Sequence, residues 1–395
     1  MADFFPDDAD PTLPGHPDPY PYFHALREHD PVHFSPVMNG WVLTRYADAI
    51  AYLRDHRFSR AKLLDAMRAQ FGDGPILRLQ SGELAFLDPP RHTALKNVLG
   101  KLLAPQVIEP MRAEVESLVA RLLDHLAGAH RMDVIADFAY ELPAETMCTM
   151  LAVPQPDRIR MREYVEGVVL ARGVVRTPEM IAAGDRAARE FVEYLDGLVR
   201  DRRAHPGNDF LSALLETNRV SDDEAATIAE QMFTAGHATT RNLIGNAVLA
   251  LLRNSAQLAR LRENPALIEG TIEETLRYDP PTQAPSPQIA LEDVEVGGRT
   301  IRAGERVSVL LGAANRDPAR FAEPDHFDIT RADNEHLSFS HGIHFCVGSA
   351  VARLEAQIAV GALVERMPSL RLATNEFKWH KMGRFRGLVA LPVEF

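Results

Sequence analysis

One cysteine, Cys346, lies in a short glycine-bounded segment directly before a long helical pattern, and this arrangement constrains the chain more than any other feature. The segment reads Phe-Ser-His-Gly-Ile-His-Phe-Cys-Val-Gly from Phe339 to Gly348. A helix N-terminus offers unpaired backbone N–H groups and the positive end of the helix dipole, which favour a thiolate. Gly342 and Gly348 lack a Cβ, so the backbone can come close to a flat group. These properties suit a cysteine that binds haem iron.

Two other kinds of site also place a cysteine close to histidines, and both are alternatives at this point. His336, His341 and His344 precede Cys346 closely and suggest a zinc site, although such sites usually have a second pair of ligands elsewhere. A cysteine–histidine hydrolase is the other alternative. The chain has two cysteines, so no disulfide framework is implied. We expect the second, Cys148, to be a small buried core residue, because its surroundings are apolar and helical.

Composition narrows the classes of partner. The 395 residues carry a formal net charge of −12, which argues against nucleic acid as a general partner. Met1 to Gly15 is acidic and rich in proline and lacks the basic start and apolar run of a signal peptide. No apolar stretch approaches the ~20 residues of a membrane span. We therefore expect a soluble, cytoplasmic enzyme without a membrane anchor.

Apolar periodicity predicts a mainly α protein with small β-sheets, formed as one domain over residues 1–395. A capping box at Ser221 begins a very long helix that continues to about Asn254. The segment 61–87 contains several glycines and is expected to be an irregular loop with at most one short helix. The helical body is predicted over 88–280 and 349–367, and β-richer portions over 30–60, 285–335 and 370–395.

The spacing Phe-x-x-Gly-x-His-x-Cys-x-Gly resembles the haem-binding signature of the cytochrome P450 family, and further motifs extend the resemblance over nearly the whole chain. It implies the P450 fold of the soluble bacterial members, with haem b between the long central helix and the cysteine loop. Cys346 would be the thiolate ligand of the iron. Phe339, Gly342 and Gly348 would be further cofactor-binding residues.

Glu274 and Arg277 lie three residues apart, on one face of the predicted helix that ends before Pro280. Such pairs are common on solvated helices, so the pair alone carries little weight. It resembles the Glu-x-x-Arg element of the P450 family, which pairs with a later proline-rich segment and braces the cysteine loop. The implied role is structural.

A second group of residues is implied to hold the acidic groups of the haem. His92 and Lys96 lie one helical turn apart in a segment that resembles the family's propionate-binding helix. His344 resembles another propionate contact. Two positions depart from the family pattern: Lys96 replaces the more usual arginine, and Gln288 stands where many relatives have a propionate-binding arginine.

The long helix carries Phe-Thr-Ala-Gly-His-Ala-Thr-Thr, ending at Thr240. Gly236 within a helix costs up to ~1 kcal/mol, which indicates a particular reason for it. The Thr239 hydroxyl can bond to a carbonyl one turn earlier and open a groove beside the haem. By resemblance, Thr239 and Thr240 deliver protons to bound dioxygen there. The family pattern has an acid where this chain has Ala238.

Three outcomes follow from Ala238. The enzyme hydroxylates with protons from water or the substrate, performs oxidative coupling or cyclisation without oxygen transfer, or uses peroxide. His237 could also supply protons, but it lies about 100° around the helix and is expected to point elsewhere. The missing carboxylate therefore leaves the proton source open.

The resemblance also implies a pocket, partners and an oligomeric state. The substrate is a small, largely apolar molecule, and the reaction is expected to belong to secondary metabolism. Electrons come from a ferredoxin and ferredoxin reductase, because the sequence has no flavin or nicotinamide motif, and a monomer is expected. A non-enzymatic haem sensor is the rival from another class. The implied pocket comprises segment 61–87 with Thr234, Ala235, Ala238, Thr239, Ala284, Pro285 and Leu388, and the candidate docking cations are Arg91, Lys96, Lys101, Arg112 and Arg353.

Overall fold

Helices make up most of the molecule, in agreement with the apolar periodicity. The computed structural model describes residues 15–36, 38–71, 73–126, 128–171, 177–381 and 384–395. The helices are α1 (Tyr20–His29), α2 (Tyr46–Arg54), α3 (Ala61–Phe71), α4 (Pro75–Gly82), α5 (Arg91–Leu102), α6 (Pro105–Ile108), α7 (Arg112–Leu126), α8 (Glu141–Met150), α9 (Arg158–Ala171), α10 (Pro178–Ala204), α11 (Phe210–Glu216), α12 (Asp222–Arg253), α13 (Ser255–Glu263), α14 (Ile268–Tyr278), α15 (Leu311–Ala314) and α16 (Ser349–Arg366).

Three small sheets accompany the helices within the described part of the chain. The largest has five strands in the order β1-β2-β8-β5-β3, the second has the order β4-β10-β9, and β6 pairs with β7. Most pairs are antiparallel, whereas β2 and β8 run parallel. The strands are β1 (Val32–Ser35), β2 (Gly40–Leu43), β3 (Phe58–Ser59), β4 (Arg131–Asp133), β5 (Gln288–Ala290), β6 (Val294–Val296), β7 (Arg299–Ile301), β8 (Arg306–Val309), β9 (Arg371–Leu372) and β10 (Pro392–Glu394).

Helix α12 is the central element, and its predicted start is confirmed. The Ser221 hydroxyl accepts from the Glu224 N–H at 3.2 Å, and the Glu224 carboxylate accepts from the Ser221 N–H at 2.9 Å. This reciprocal capping box satisfies two N–H groups that the helix itself leaves unpaired. Residues such as Phe233 and Leu243 then bury the helix in the main apolar core, against α8, α10 and α16.

The prediction for segment 61–87 is wrong, because the segment is largely helical. It forms α3, α4 and a short 3₁₀ turn over Leu84–Phe86. Leu63, Leu64, Leu77 and Phe86 pack together in a small apolar cluster of their own. The glycines fall near the ends of these helices, where they interrupt the periodicity in the sequence without preventing helix formation. In the part of the chain that is described, no helix combines the length and the apolar character needed to cross a bilayer.

Candidate cofactor site

The cysteine loop is closed by a backbone hydrogen bond and a tight turn. The Cys346 N–H donates to the Phe339 carbonyl at 2.8 Å. Gly342 has a φ of +67°, and a Cβ there would collide with the Leu53 carbonyl at the end of α2. Only glycine combines this conformation with that close approach. At Gly348, in contrast, a Cβ would meet nothing within 4 Å, so open space lies beside the start of α16.

The Cys346 side chain is exposed. It also lines a groove of about 540 Å³ whose other walls come from α5, α6, the start of α7 and α16, and to which no described residue of α12 contributes. Burial raises the pKa of the thiol, while the Gly348 N–H and the Lys96 ammonium oppose that shift. Cys148, in contrast, is fully buried, as predicted.

The neighbouring histidines do not support a zinc site. His341 accepts a hydrogen bond from Arg54 at 2.8 Å, and His336 contacts Glu273 at 3.2 Å. Within the described ranges, no group of three or more His, Cys, Asp or Glu side chains converges in a way that could hold a metal ion. A porphyrin needs a single soft donor with space beside it, and the Cys346 thiol meets that requirement.

His92 and His344 come together beside the cysteine loop. Their ring centroids are 4.4 Å apart. Both ring nitrogens of His92 and Nε2 of His344 are buried without a hydrogen-bond partner. Burial, followed by the nearby Lys96, lowers the pKa of His92 to about 4. Burial, followed by the nearby Arg60, lowers the pKa of His344 to about 2. Both rings are therefore neutral near pH 7, and their unpaired nitrogens suit an external acidic group.

Lys96 and Gln288 lie in this region but differ in their contacts. The Lys96 ammonium donates to the Phe345 carbonyl, so it binds the cysteine loop itself. Burial lowers its pKa. Gln288 lies in β5 and is buried, and its amide oxygen has no partner. The ring N–H groups of His92 and His344 therefore fit the acidic edge of a haem, whereas the unpaired Gln288 oxygen is an acceptor and offers a carboxylate nothing.

The sequence analysis did not identify one residue of this region as part of the site. Arg60 follows β3 directly, is buried, and lies close enough to His92 and His344 to affect both electrostatically. The signal that would have identified it is the pairing of β3 with β5, which joins residues far apart in the chain. Sequence periodicity does not give such a register.

The predicted hydrogen bond of Thr239 is present, but the helix does not open. Its hydroxyl donates to the Ala235 carbonyl at 2.5 Å, and α12 continues as an α-helix throughout. Gly236 has another explanation: a Cβ there would lie 3.1 Å from the Met147 sulfur, so the glycine allows α8 to pack closely. Ala235 is exposed and Thr239 partly exposed in the middle of a helix that is otherwise mostly buried. These two residues therefore border an open space.

The neighbours of Thr239 on α12 carry no carboxylate group. Ala238 and Thr240 are buried. His237 points away, as predicted, and its Nε2 contacts the Tyr140 carbonyl at 3.0 Å. His237 is thus occupied by a structural contact.

A buried acid on another helix lies close to Thr240. Glu355 of α16 is fully buried, and the hydroxyls of Thr146 and Thr240 lie beside its carboxyl group. Burial raises its pKa to about 8. It therefore holds a proton at neutral pH. Glu355 could not be singled out from the sequence, because an acid in an amphipathic helix is ordinarily solvated.

The predicted pocket residues fall into two groups. Thr234 is partly exposed on α12, like Ala235 and Thr239. Ala284, Pro285 and Leu388 are buried, Leu388 completely so. Nothing in the described structure exposes these three side chains to a cavity, so their assignment as pocket residues stays a prediction.

Glu274 and Arg277 form a fully buried bidentate pair, with both N···O distances 2.8 Å. The other Arg277 nitrogen donates to the carbonyls of Asn315 and Pro324 at 3.0 and 2.7 Å. Asn315 in turn accepts from the Leu337 N–H at 2.7 Å, two residues before the cysteine loop begins. This chain of contacts links α14 to the proline-rich segment and to the loop.

The cations near the groove are mostly paired within the protein. Arg353 binds Glu273 at 2.7 and 2.8 Å, and stacks over the Phe339 ring. Arg91 binds Glu224 at 2.7 Å. Arg112 binds Glu109 at 2.5 Å. Lys101 is exposed. The positive patch is therefore weaker than the count of basic residues suggests.

The fold and the cysteine loop are those of the P450 class of protein, and comparisons with known proteins agree. The family model described as Cytochrome P450 matches residues 177–378. The chain is 39% identical to a biotin biosynthesis cytochrome P450 of Bacillus subtilis (strain 168), covering 95% of this chain and 96% of the relative. It is 36% identical to the cytochrome P450 monooxygenase PikC of Streptomyces venezuelae, covering 96% and 91%.

A solved structure gives the same result. The crystal structure of P450BioI with hexadec-9Z-enoic acid ligated acyl carrier protein superposes with a TM-score of 0.90 at 38% identity, and covers 96% of this chain and 98% of that one. The chain belongs to the cytochrome P450 family. It is a P450 oxidoreductase with the P450 fold, and the family implies a haem cofactor.

Proposed function

We propose that residues 1–395 form one P450 domain that binds haem b through the Cys346 thiolate and inserts one oxygen atom from O₂ into a largely apolar small molecule. The observation that carries this proposal is the exposed Cys346 thiol just before α16, together with the buried, unpaired ring nitrogens of His92 and His344 beside the same loop. Ferredoxin and ferredoxin reductase supply the electrons to the monomeric enzyme. The substrate belongs to secondary metabolism.

Haem, when bound, supplies the activation of dioxygen. The chain's own residues hold the cofactor and move protons. Cys346 would ligate the iron through its sulfur, and the positive end of the α16 dipole would stabilise the thiolate. His92 and His344 would offer neutral ring N–H groups to the haem carboxylates, which would account for buried nitrogens without a partner within the protein.

Position 238 has no carboxylate, so proton delivery depends on the Thr239 hydroxyl and on the buried carboxyl group of Glu355. The Thr239 hydroxyl hydrogen is directed to the Ala235 carbonyl, so Oγ1 is able to accept a second hydrogen bond from water or from a bound ligand. Glu355 holds a proton beside Thr240. This pair of groups supports hydroxylation as the first candidate reaction.

Oxidative coupling or cyclisation is the second candidate, and Ala238 favours it. Ala238 is buried and has no acidic group at the position where the family pattern has one. The His237 ring cannot replace that group, because it contacts the Tyr140 carbonyl. We expect Ala238→Glu to raise the yield of oxygenated product per electron consumed if the enzyme is a hydroxylase limited by protons. An unchanged yield and solvent isotope effect would show that the missing acid is irrelevant.

The absorption spectrum of the reduced protein with carbon monoxide tests the cofactor assignment. We expect the Soret maximum typical of thiolate-ligated haem, and Cys346→Ser should abolish it. Cys148→Ser is the matched control, because that thiol is fully buried and should leave the spectrum unchanged. A Cys346→Ser protein that keeps the thiolate spectrum would overturn the proposal.

Substrate screening should begin with acyl chains. A relative with 38% identity was solved with a fatty-acyl-loaded acyl carrier protein, so free and carrier-bound fatty acids are the first compounds to test. Binding that displaces an iron-bound water shifts the Soret band. A substrate that shifts the band but is not converted by the reduced enzyme would favour the haem sensor.

A further inference from the structure

Arg60 is a buried cation without an ion pair. Its side chain is 5% exposed, and no carboxylate of the described residues lies within ion-pair distance of its guanidinium. Its contact to the Ala85 carbonyl is long, at 3.4 Å, and its Nε has no partner. A buried, uncompensated charge costs several kcal/mol. Such a residue is expected where an external anion completes the site.

Asp88 is the carboxylate that acts electrostatically on Arg60, but it makes no ion pair with the guanidinium. It accepts from the backbone N–H of Arg60 at 3.0 Å and from the Ser59 hydroxyl. His92 and His344 add buried ring nitrogens without a partner, and each neutral ring has one N–H to donate. Positive charge and unused N–H donors thus meet in this part of the interior.

The strand register connects Arg60 with Gln288. In the antiparallel pair of β3 and β5, Phe58 lies opposite Ala290 and Ser59 opposite Ile289. The next step of this register puts Arg60 opposite Gln288. Residues directly opposite in an antiparallel pair project to the same face. Gln288 is buried as well, and its amide oxygen is unpaired.

We propose that Arg60, the residue directly after β3, binds a propionate of the haem and supplies the positive charge that Gln288 of β5 lacks. This inference rests on the proposed function, because it requires that the chain bind haem. The guanidinium donates hydrogen bonds to the carboxylate, and the charges of the two groups cancel. The anion-free cluster of Arg60, His92 and His344 is then a single carboxylate-binding site.

Haem release to apomyoglobin tests the assignment on the holoprotein. Arg60→Gln should release haem about 10- to 100-fold faster, since one charged hydrogen-bonded contact is lost. The same measurement with haem dimethyl ester, whose carboxylates are neutral, should show little difference between Arg60→Gln and the unmodified chain. Gln288→Arg in the Arg60→Gln background should slow release again, because it returns a cation to the same face.

Arg57→Gln is the matched control. Arg57 lies three residues earlier and binds Asp55 at 2.6 Å near the surface, so its loss should leave haem release unchanged. Should Arg60→Gln fail to accumulate as folded protein, Arg60→Lys replaces it: release should be faster than in the unmodified chain, and the difference should disappear with the diester.

The failures of the two proposals are distinguishable. If the unmodified protein binds no haem, the proposed function is wrong. If it binds haem with a thiolate spectrum and Arg60→Gln releases both porphyrins at the unmodified rates, only the Arg60 assignment is wrong. An equal acceleration with haem and with its diester would show that Arg60 acts on the fold and does not bind a propionate.

Discussion

Several buried polar atoms without partners lie near the cysteine loop. They include both nitrogens of His92, Nε2 of His344, the amide oxygen of Gln288 and Nε of Arg60. Buried polar groups in proteins are nearly always paired, so this group, in which two rings touch each other, is a place where something else is expected to bind. Each of these residues was ordinary in the sequence or known only by resemblance, and their common property became visible only in the fold.

Glu355 should make stability depend on pH. Its pKa is raised from 4.5 to about 8 in the folded protein. The folded state therefore binds a proton that the unfolded state has lost, and stability decreases as pH rises from 4.5 to 8. Glu355→Gln should remove this part of the decrease, giving a higher Tm than the unmodified chain at pH 8. Glu365→Gln, an exposed change in the same helix, should follow the unmodified pH curve.

Gly342 should be irreplaceable, whereas Gly348 should tolerate a methyl group in the haem-free protein. Gly342→Ala meets both a left-handed backbone conformation and the Leu53 carbonyl, and should lower the free energy of unfolding by about 1–3 kcal/mol. Gly348→Ala has open space and an ordinary φ of −86°. Urea unfolding of both variants measures the difference. Equal stability of the two would contradict the clash at Gly342.

At the scale of elements, α14 carries the brace of the cysteine loop. Glu274 accepts from Arg277, from the Asp328 N–H at 2.9 Å and from Arg331 at 3.1 Å. Glu274→Ala would leave buried cations unpaired and should cost about 3–5 kcal/mol. Urea unfolding of the holoprotein measures this loss. Asp333→Ala breaks an exposed pair with Arg320 and should cost less than about 1 kcal/mol.

Most elements could be predicted from the sequence, because their stabilising features are local. The capping box of α12 and its end near Asn254 were predicted to within a residue or two. Helices α3 and α4 were missed, because glycines interrupt their periodicity. The β3–β5 register, which brings Arg60 opposite Gln288, joins residues far apart in sequence and could not be predicted. The cysteine loop could be singled out because its motif is short and contiguous, and the role of Cys346 as a ligand stays a prediction.

At the scale of the whole molecule, pairing between elements reduces the positive patch that the sequence suggested. Arg91 pairs with α12, and Arg353 pairs with α14. These partners lie far away in the chain, so composition could not reveal them. Electron transfer from a small acidic ferredoxin should therefore depend on the few basic side chains of this surface that have no acidic partner within the protein.

Lys101 is the residue to test. Lys101→Glu should slow ferredoxin-dependent reduction at low ionic strength by about threefold to tenfold, because it reverses an exposed charge on α5 near the groove. The effect should fade with added salt. Lys62→Glu changes the net charge equally but lies on α3, outside the groove, and should have little effect. Equal slowing by both variants would show that the reduction rate depends on the net charge of the protein and not on a docking surface at Lys101.

Close contacts fix α12 along its length. A Cβ at Gly236 would press on Met147, and one at Gly245 would press on Ile135 at 2.5 Å. Neighbouring helices thus leave this helix no room to slide or rotate. New substrate ranges, in nature or by engineering, should therefore come first from changes in α3, whose Leu63 and Leu64 pack in a small cluster outside the main core, while the central helix is retained.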